Sequence, residues 1–322
     1  MTQLSWLHRT VILALALGVA VMPTLYPWSQ VLLTLALAKG LAVLGVVVLL
    51  QAGQVSFGHA MFVAIGAYSA TFLGRALGGG DLVVVLLGGV LTSVAFGLVI
   101  GVFVVRYRYI FFGMLNLAFS MVLFSLLEKF FHITGGSDGL RVLRPTLFGQ
   151  SLDRATFEGI LFYLTLALAL GLGWLVHRYL QSPLGQALSA VKSNETRLEY
   201  LGVSARHVLL VGYVVSAALC GLGGVIIGLV QGLVTPELGY WVRSGELVFI
   251  AILGGASNVT GAFAGALVFE VVRTYAAAFA ANIWQMILGG VLLLIVLFAP
   301  GGLIALYGNS VKKLFARTRT EP

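Results

Sequence analysis

Long, sparsely charged apolar stretches recur along the whole chain and constrain its fold more than any other feature. Val31–Leu50 is one of them, and its only charge is Lys39. A helix of about 20 residues is about 30 Å long, which matches the hydrocarbon core of a bilayer. Only 9% of the 322 residues are charged and the mean hydropathy is +1.04, whereas about a quarter of residues are charged in soluble domains. The sequence therefore predicts an all-α integral membrane protein.

The apolar stretches predict a polytopic helical bundle of about ten membrane segments, some of them short or broken at glycines. The abundance of glycine, 41 residues in all, favours closely packed transmembrane helices. We expect one transmembrane domain over residues 1–322. The predicted segments are Thr10–Trp28, Val31–Leu50, Gly53–Gly74, Leu82–Val105, Ile110–Phe131, Glu158–His177, Val208–Gly232, Glu246–Gly254, Leu267–Ala280 and Trp284–Phe298.

The basic residues predict the orientation of this bundle. One face would carry eleven of them, namely Arg9, Arg106, Arg108, Arg178, Lys192, Arg197, Arg206, Lys312, Lys313, Arg317 and Arg319. The other face would carry six, namely Arg75, Lys129, Arg141, Arg144, Arg154 and Arg243. Cytoplasmic loops carry the excess of lysine and arginine. We therefore expect both termini in the cytoplasm, including a basic tail at residues 304–322.

Composition disfavours several classes of function. The single cysteine, Cys220, forms no disulfide within the chain, and no two of the five histidines stand three or four residues apart. No metal site is therefore expected. The net charge of +8 lies at segment ends, so it indicates topology rather than nucleic-acid binding. No nucleophile and base are clustered, and we expect no enzymatic activity from this chain.

The polar segment Ser182–His207, here called the 182–207 segment, interrupts two apolar stretches. Ser182 with Pro183 predicts the start of a helix, and Asn194 predicts a second short helix that Gly202 ends in a left-handed conformation. Leu184, Ala187, Leu188 and Val191 repeat at helical spacing and predict one apolar face. Two interpretations are open: a loop that lies on the membrane surface, or a docking element for a soluble partner.

This segment resembles a motif of ABC importer permeases, specifically the LivH/LivM family of hydrophobic amino-acid transporters. The motif has the form S-x-x-G-x-A-x-x-A-[IV]-[RK]-x-N-E, followed by G-[VI]. Further similarity lies in GQVSFGHAMFVAIGAY, TGGSDGL, LGGASNVTGAFAGA and LFAPGGL, which follow the family order from Gln51 to Leu303. The TGGSDGL element is similar to the corresponding element in the LivM-like branch of the family. The motif residues are Ser182, Gly185, Ala187, Ala190, Val191, Lys192, Asn194, Glu195, Gly202 and Val203.

The resemblance implies a permease subunit in a bacterial inner membrane that translocates branched-chain amino acids or a related urea, amide or carboxylate. Implied partners are a homologous or identical second permease, a periplasmic or extracellular binding protein, and two cytoplasmic ATPases that hold ATP and magnesium. The chain has no G-x-x-x-x-G-K-[ST] loop, so no cofactor is expected on it. The residues expected to couple to the ATPases are Ser182, Leu184, Gly185, Ala187, Ala190, Lys192, Asn194, Glu195 and Gly202.

Two glycine-rich elements are candidates for the translocation pathway, because broken helices expose backbone groups that hold polar ligands. An equally open interpretation is that their polar side chains only satisfy the broken backbone. The candidate residues are Gln54, Ser56, Gly58, His59, Ser257 and Asn258.

Charged residues inside apolar segments are costly and call for a partner or a cavity. Glu270 and Arg273 stand three residues apart, which predicts a structural ion pair. Lys39 is expected to pair with a neighbouring subunit. Glu246, beside Arg243, lines an external vestibule or lies at the membrane interface, and both interpretations are open.

An ion-gradient-driven secondary transporter is the alternative function. Such transporters commonly need an acidic relay inside the membrane. Glu270 is the only clear intramembrane acid in this sequence. The relay is therefore poorly supported, and ATP-driven import is the favoured prediction.

Overall fold

The computed structural model describes residues 17–256, 258–279, 283, 286, 288–290, 293–294, 297 and 301–303. Residues 17–25 are helical. The helices that follow are α1 (Ser29–Gln51), α2 (Ala60–Ala76), α3 (Leu82–Val104), α4 (Tyr109–Lys129), α5 (Phe131–Thr134), α6 (Arg154–Gln181), α7 (Pro183–Tyr200), α8 (Ala205–Gln231), α9 (Trp241–Gly254) and α10 (Val259–Phe279). Two short strands, β1 (Leu140–Arg141) and β2 (Leu233–Val234), form an antiparallel pair.

The prediction of an all-α membrane protein is confirmed. Within the described ranges, six helices are long and apolar enough to cross a membrane, and α2 is a shorter apolar helix of 17 residues. The start of the predicted span Thr10–Trp28 and most of Trp284–Phe298 lie outside the described residues. The total of about ten segments therefore stays a prediction.

Helices α1 and α8 form the centre of the bundle. Both are mostly buried and they pack directly against each other, with α2, α3 and α10 packed around them. By contrast, α3 and α4 expose most of their apolar surface. Large apolar side chains such as Val99 and Ile110 are 71% and 75% exposed. Surface of this kind is suited to lipid or to another apolar subunit.

Glycines allow the central helices to approach each other closely. A Cβ atom on Gly224 of α8 would lie 2.0 Å from the carbonyl oxygen of Val63 in α2. On the α2 side, a Cβ on Gly66 would lie 2.2 Å from the carbonyl oxygen of Gly221. Small residues drive helix association in a bilayer because they let backbones pack together. The glycine content of the sequence thus accounts for the contact between α2 and α8.

A helix cap places the start of α6 earlier in the chain than predicted. Asp153 accepts a hydrogen bond from the backbone N–H of Thr156, so α6 begins at Arg154 rather than at the predicted Glu158. It then continues to Gln181, for 28 residues in all. A helix of that length is about 42 Å long, which exceeds the hydrocarbon core. Helix α6 therefore reaches beyond the membrane to the 182–207 segment.

The second glycine-rich element joins two helices at a tight turn. Helix α9 has 14 residues and α10 has 21, and the turn between them includes Gly255 with φ of 110°. A Cβ atom on Gly254 would lie 1.9 Å from the carbonyl oxygen of Gly261. The structure therefore shows two helices that meet at a glycine-rich turn, as expected for segments that are short or broken at glycines.

The bundle has two distinct ends. The 182–207 segment precedes α8, whereas β2 and the 3-10 helix Pro236–Gly239 follow it. Helix α8 has 27 residues, which gives a length of about 40 Å. We call the end with β1 and β2 the far end. Whatever docks on the 182–207 segment is thus separated from the far end by the full thickness of the bundle.

Candidate functional site

The 182–207 segment folds as two capped helical pieces, as the sequence predicts. The Ser182 hydroxyl accepts a hydrogen bond from the Gly185 N–H at 3.3 Å. Helix α7 is broken at Asn194, where φ is −163° and ψ is 96°, and Asn194 Oδ1 accepts from the Arg197 N–H at 2.9 Å. Gly202 follows with φ of 79°, and Ser204 caps α8. The segment is therefore a defined structure rather than an irregular loop.

The predicted apolar face of this segment packs on the bundle at two of its residues. Leu188 is fully buried and packs near Gly212 of α8, and Val191 is also buried. Leu184, one turn before Leu188, is 38% exposed. Ala187 and Ala190 are half-buried.

Gly185 lies at the tightest point of the segment. A Cβ atom there would lie 2.2 Å from the carbonyl oxygen of Tyr179 and 2.5 Å from the Cα of Leu180. The first turn of α7 therefore packs directly against the backbone at the end of α6. This contact fixes the angle at which α7 leaves α6.

Glu195 and Lys192 attach the segment to the rest of the bundle. The Glu195 carboxylate accepts two hydrogen bonds from the Arg108 guanidinium, at 2.6 and 2.8 Å. The side chain of Lys192 packs over Gly53, where a Cβ would lie 2.9 Å from the Lys192 Cγ. Both were expected to couple to a partner. In this chain they contact the turn after α3 and the break after α1.

The break between α1 and α2 is confirmed, and its polar residues are buried. Gln54 Oε1 accepts a hydrogen bond from the Tyr109 N–H at 2.9 Å. The Ser56 hydroxyl lies 2.5 Å from His59 Nδ1. A Cβ on Gly58 would lie 2.0 Å from the carbonyl oxygen of Asn116. Gln54, Ser56 and Gly58 thus contact neighbouring groups of the protein, and whether they also line a translocation pathway stays a prediction.

His59 is fully buried between aromatic rings. Its ring centroid lies 5.4 Å from that of Phe62 and 5.3 Å from that of Tyr213, both in edge-to-face arrangement. Within the described part of the chain, His59 Nε2 has no hydrogen-bond partner. Whether His59 contacts a solute stays a prediction.

The second glycine-rich element lies at the same end of the bundle as the first. Gln51 Nε2 donates a hydrogen bond to the Ala256 carbonyl at 3.3 Å. Asn258 is exposed and its backbone closes the turn through bonds with Gly255 and Gly261. Ser257 lies outside the described residues. The structure thus places Asn258 at the surface, apart from the buried His59.

A charged cavity of about 340 Å³ opens towards the far end. We use this name for the space between α1, α2, α8, α9 and α10. Its polar lining includes Lys39, Glu237, Arg243, Glu246 and Arg273, and its apolar lining includes Ala42, Val63, Ile227, Leu238, Leu247 and Ile250. Glu246 therefore lines a cavity, whereas its position on the external side of the membrane stays a prediction. The signal in the sequence was the charge inside apolar segments.

Ion pairs organise this lining. Lys39 Nζ lies 2.5 Å from Glu270 Oε2, so the expectation that Lys39 pairs with a neighbouring subunit was wrong. Glu270 was predicted to pair with Arg273; that pair stays a prediction, whereas the contact to Lys39 is present. Arg243 Nη1 lies 2.8 Å from Glu246, and Arg243 Nη2 lies 3.9 Å from Glu237.

Comparison with known proteins identifies related sequences. The profile of a family described as "Branched-chain amino acid transport system / permease component" matches residues 30–297. The chain is 30% identical over 282 residues to the high-affinity branched-chain amino acid permease LivM of Salmonella typhimurium, which covers 81% of this chain and 66% of LivM. The chain therefore spans just under two thirds of that relative's length.

Two further relatives match over shorter regions. LivH of Salmonella typhimurium, also named as a branched-chain amino acid permease, is 26% identical over 55% of this chain and 59% of its own length. The nucleoside ABC transporter permease NupB of Lactococcus lactis subsp. cremoris is 35% identical over 30% of this chain and 26% of its own length. No solved structure matches the chain significantly.

Proposed function

This chain belongs to the family of branched-chain amino acid transport permease components, and from that premise we propose that it is a permease subunit of an ATP-driven importer. It would translocate a branched-chain amino acid or a related small solute. A second permease, two ATPases and a binding protein would complete the importer. The relatives named as amino acid permeases support this choice of solute.

The observation that carries the proposal is the construction of the 182–207 segment. A coupling element must present an exposed surface and transmit movement of its partner to the membrane helices. Gln186 and Ser189 are exposed on the side of α7 that faces away from Leu188, which packs on α8, and Leu184 is exposed in the first turn of the helix. We propose that an ATPase subunit docks on this exposed side.

Movement of the segment has a direct route to the helix break. The ion pair between Glu195 and Arg108 holds the segment on the turn before α4, and Gln54 accepts a hydrogen bond from Tyr109 in the same turn. Lys192 adds a second contact at Gly53. An ATPase that pulls on α7 would therefore act on the start of the break that precedes α2, at Gly53 and Gln54.

Uptake into membrane vesicles tests the proposal. Vesicles that contain the complete assembly should accumulate radiolabelled leucine with ATP and the binding protein, and should not accumulate it with a proton or sodium gradient alone. A Leu184→Glu variant should retain membrane insertion and lose ATPase association, because a carboxylate replaces the exposed apolar contact. Uptake that follows the ion gradient and needs no ATPase would establish secondary transport instead.

A further inference from the structure

The charged cavity has the features of a solute site for which the proposed function names no location. Its volume of about 340 Å³ lies within the range of about 300–1,000 Å³ that is usual for small-molecule sites. We propose that it binds a zwitterion with an aliphatic side chain, whose carboxylate faces Lys39 and Arg273 and whose ammonium group faces Glu237 and Glu246. This inference rests on the proposed function and gives the solute a position.

The charges are divided between two walls of the cavity. On the wall made by α1 and α10, the cations Lys39 and Arg273 stand beside one acid, Glu270. On the wall made by residues 236–254, the acids Glu237 and Glu246 stand beside one cation, Arg243. One wall thus has an excess of positive charge and the other an excess of negative charge. A molecule that carries one charge of each sign matches this distribution better than an anion or a cation does.

The existing ion pairs leave capacity for a solute. An arginine presents five N–H donors and a lysine three, so Arg273 and Lys39 can bind a solute carboxylate in addition to a protein partner. Similarly, each glutamate has two acceptor oxygens. The side chain of Glu246 is 19% exposed, and that of Glu237 is 76% exposed. A solute ammonium group can therefore reach both acids from the open side.

The remaining lining selects an aliphatic side chain. Ala42, Val63, Ile227, Leu247 and Ile250 contribute only hydrocarbon to the wall. Burial of a methylene group away from water is favourable, so a solute with a branched aliphatic chain should bind here more tightly than one without it.

A purely structural role would predict a different arrangement. Charges that only hold helices together are most stable when they are enclosed and fully paired. Glu270 is enclosed and paired with Lys39, but the cavity lining includes Lys39, Arg273, Glu237, Arg243 and Glu246 around a space that opens to the far end. Charged side chains in a membrane domain commonly mark a solute pathway. The position is also suited to delivery, because it lies at the opposite end from the 182–207 segment.

Binding to the purified complex tests the inference. The permease is purified with its partner subunits, without the binding protein, in lipid nanodiscs, and binding of tritiated leucine is measured by scintillation proximity. Leucinamide, which lacks the carboxylate, and 4-methylpentanoate, which lacks the ammonium group, are the competitors. We expect leucine to compete at least about tenfold better than either, a difference of about 1.4 kcal/mol.

Two variants test which wall of the cavity binds which charged group of the solute. Glu246→Gln should remove the preference for leucine over 4-methylpentanoate, and Arg273→Gln should remove the preference for leucine over leucinamide. A general loss of structure would not remove one preference in the first variant and the other preference in the second. Matched controls are Glu158→Gln and Arg154→Gln, which alter an ion pair on α6 in which Arg154 is 73% exposed. Both controls should retain the selectivity of the unmodified complex.

The outcomes separate this inference from the proposed function. If ATP-driven uptake proceeds and the variants keep unchanged leucine selectivity, the cavity is not the site and the inference fails while the function stands. Absence of saturable leucine binding in the unmodified complex also overturns it. If no solute enters with ATP in any preparation, the proposed function itself fails.

Discussion

The ammonium group of Lys39 lies 2.5 Å from the carboxylate of Glu270, although the two residues are 231 positions apart in the chain. Both are buried, and the pair joins α1 to α10. The Lys39 ammonium also lies 5.3 Å from the centre of the Phe269 ring. An ion pair of this kind holds the two helices in one register, because removal of either partner leaves a charge without compensation.

Glu270→Gln should therefore destabilise the chain. Loss of one member of a buried pair typically costs about 3–5 kcal/mol, because the remaining charge stays desolvated. The double variant Lys39→Met with Glu270→Met should be closer to the original in stability, since neither charge remains. Chemical unfolding in detergent micelles measures both. Equal destabilisation by the single and double variants would contradict an ion pair and indicate a packing role for Glu270.

Local features of the sequence predicted local structure well. Ser182 and Asn194 cap helices, and Gly202 has the expected left-handed conformation. Each of these depends on residues within three or four positions, so the signal is contained in the sequence itself. The same holds for the break that precedes α2.

Long-range partners were not predictable from the sequence. Arg108 and Glu195 are 87 positions apart, and Lys39 and Glu270 are much further apart. An ionisable residue in an apolar segment indicates that a partner exists, but several acids could serve. The charged cavity was missed for the same reason, because its lining comes from five helices that only the tertiary fold brings together.

Arg108 and Glu195 should be needed for coupling. Arg108→Gln and Glu195→Gln should each lower the amount of solute taken up per ATP hydrolysed, because the segment loses its attachment to the turn before α4. Residues in contact usually show coupling energies of about 0.5–3 kcal/mol in double-mutant cycles. Uptake and ATP hydrolysis are measured together in proteoliposomes. The exchange Arg108→Glu with Glu195→Arg should restore part of the coupling, and full coupling in both single variants would contradict this role.

Gly185→Ala should disturb the angle between α6 and α7. The added Cβ would lie 2.2 Å from the carbonyl oxygen of Tyr179, so the backbone must shift. Overpacking of this kind typically costs about 1–3 kcal/mol. The midpoint temperature of thermal unfolding and the amount of ATPase that co-purifies should both decrease. Gly171→Ala on α6 is the control, since its Cβ would meet nothing within 4 Å, and normal behaviour of Gly185→Ala would contradict the close contact.

Gly202 should be required because its backbone is left-handed, and not because a side chain at this position would lack space. Its φ is 79° and an added Cβ would meet nothing within 4 Å. A left-handed conformation costs roughly 1–2 kcal/mol for most L-residues but is accessible to asparagine. Gly202→Asn should therefore retain uptake, whereas Gly202→Ile should lose it while still inserting in the membrane. Equal uptake by the two variants would show that the conformation is not needed.

The proposed orientation can be tested by cysteine labelling. Cys220 is the only cysteine and is buried, so a Cys220→Ala background allows single reporters to be placed. Leu184 on α7 is 38% exposed, and Leu143 beside β1 at the far end is 43% exposed. In intact spheroplasts, a membrane-impermeant maleimide should label Leu143→Cys and not Leu184→Cys. Inverted vesicles should give the reverse pattern, because the excess of basic residues predicts a cytoplasmic position for the 182–207 segment. Labelling of Leu184→Cys from outside would show the opposite topology. It would then exclude a cytoplasmic ATPase as the partner of this segment.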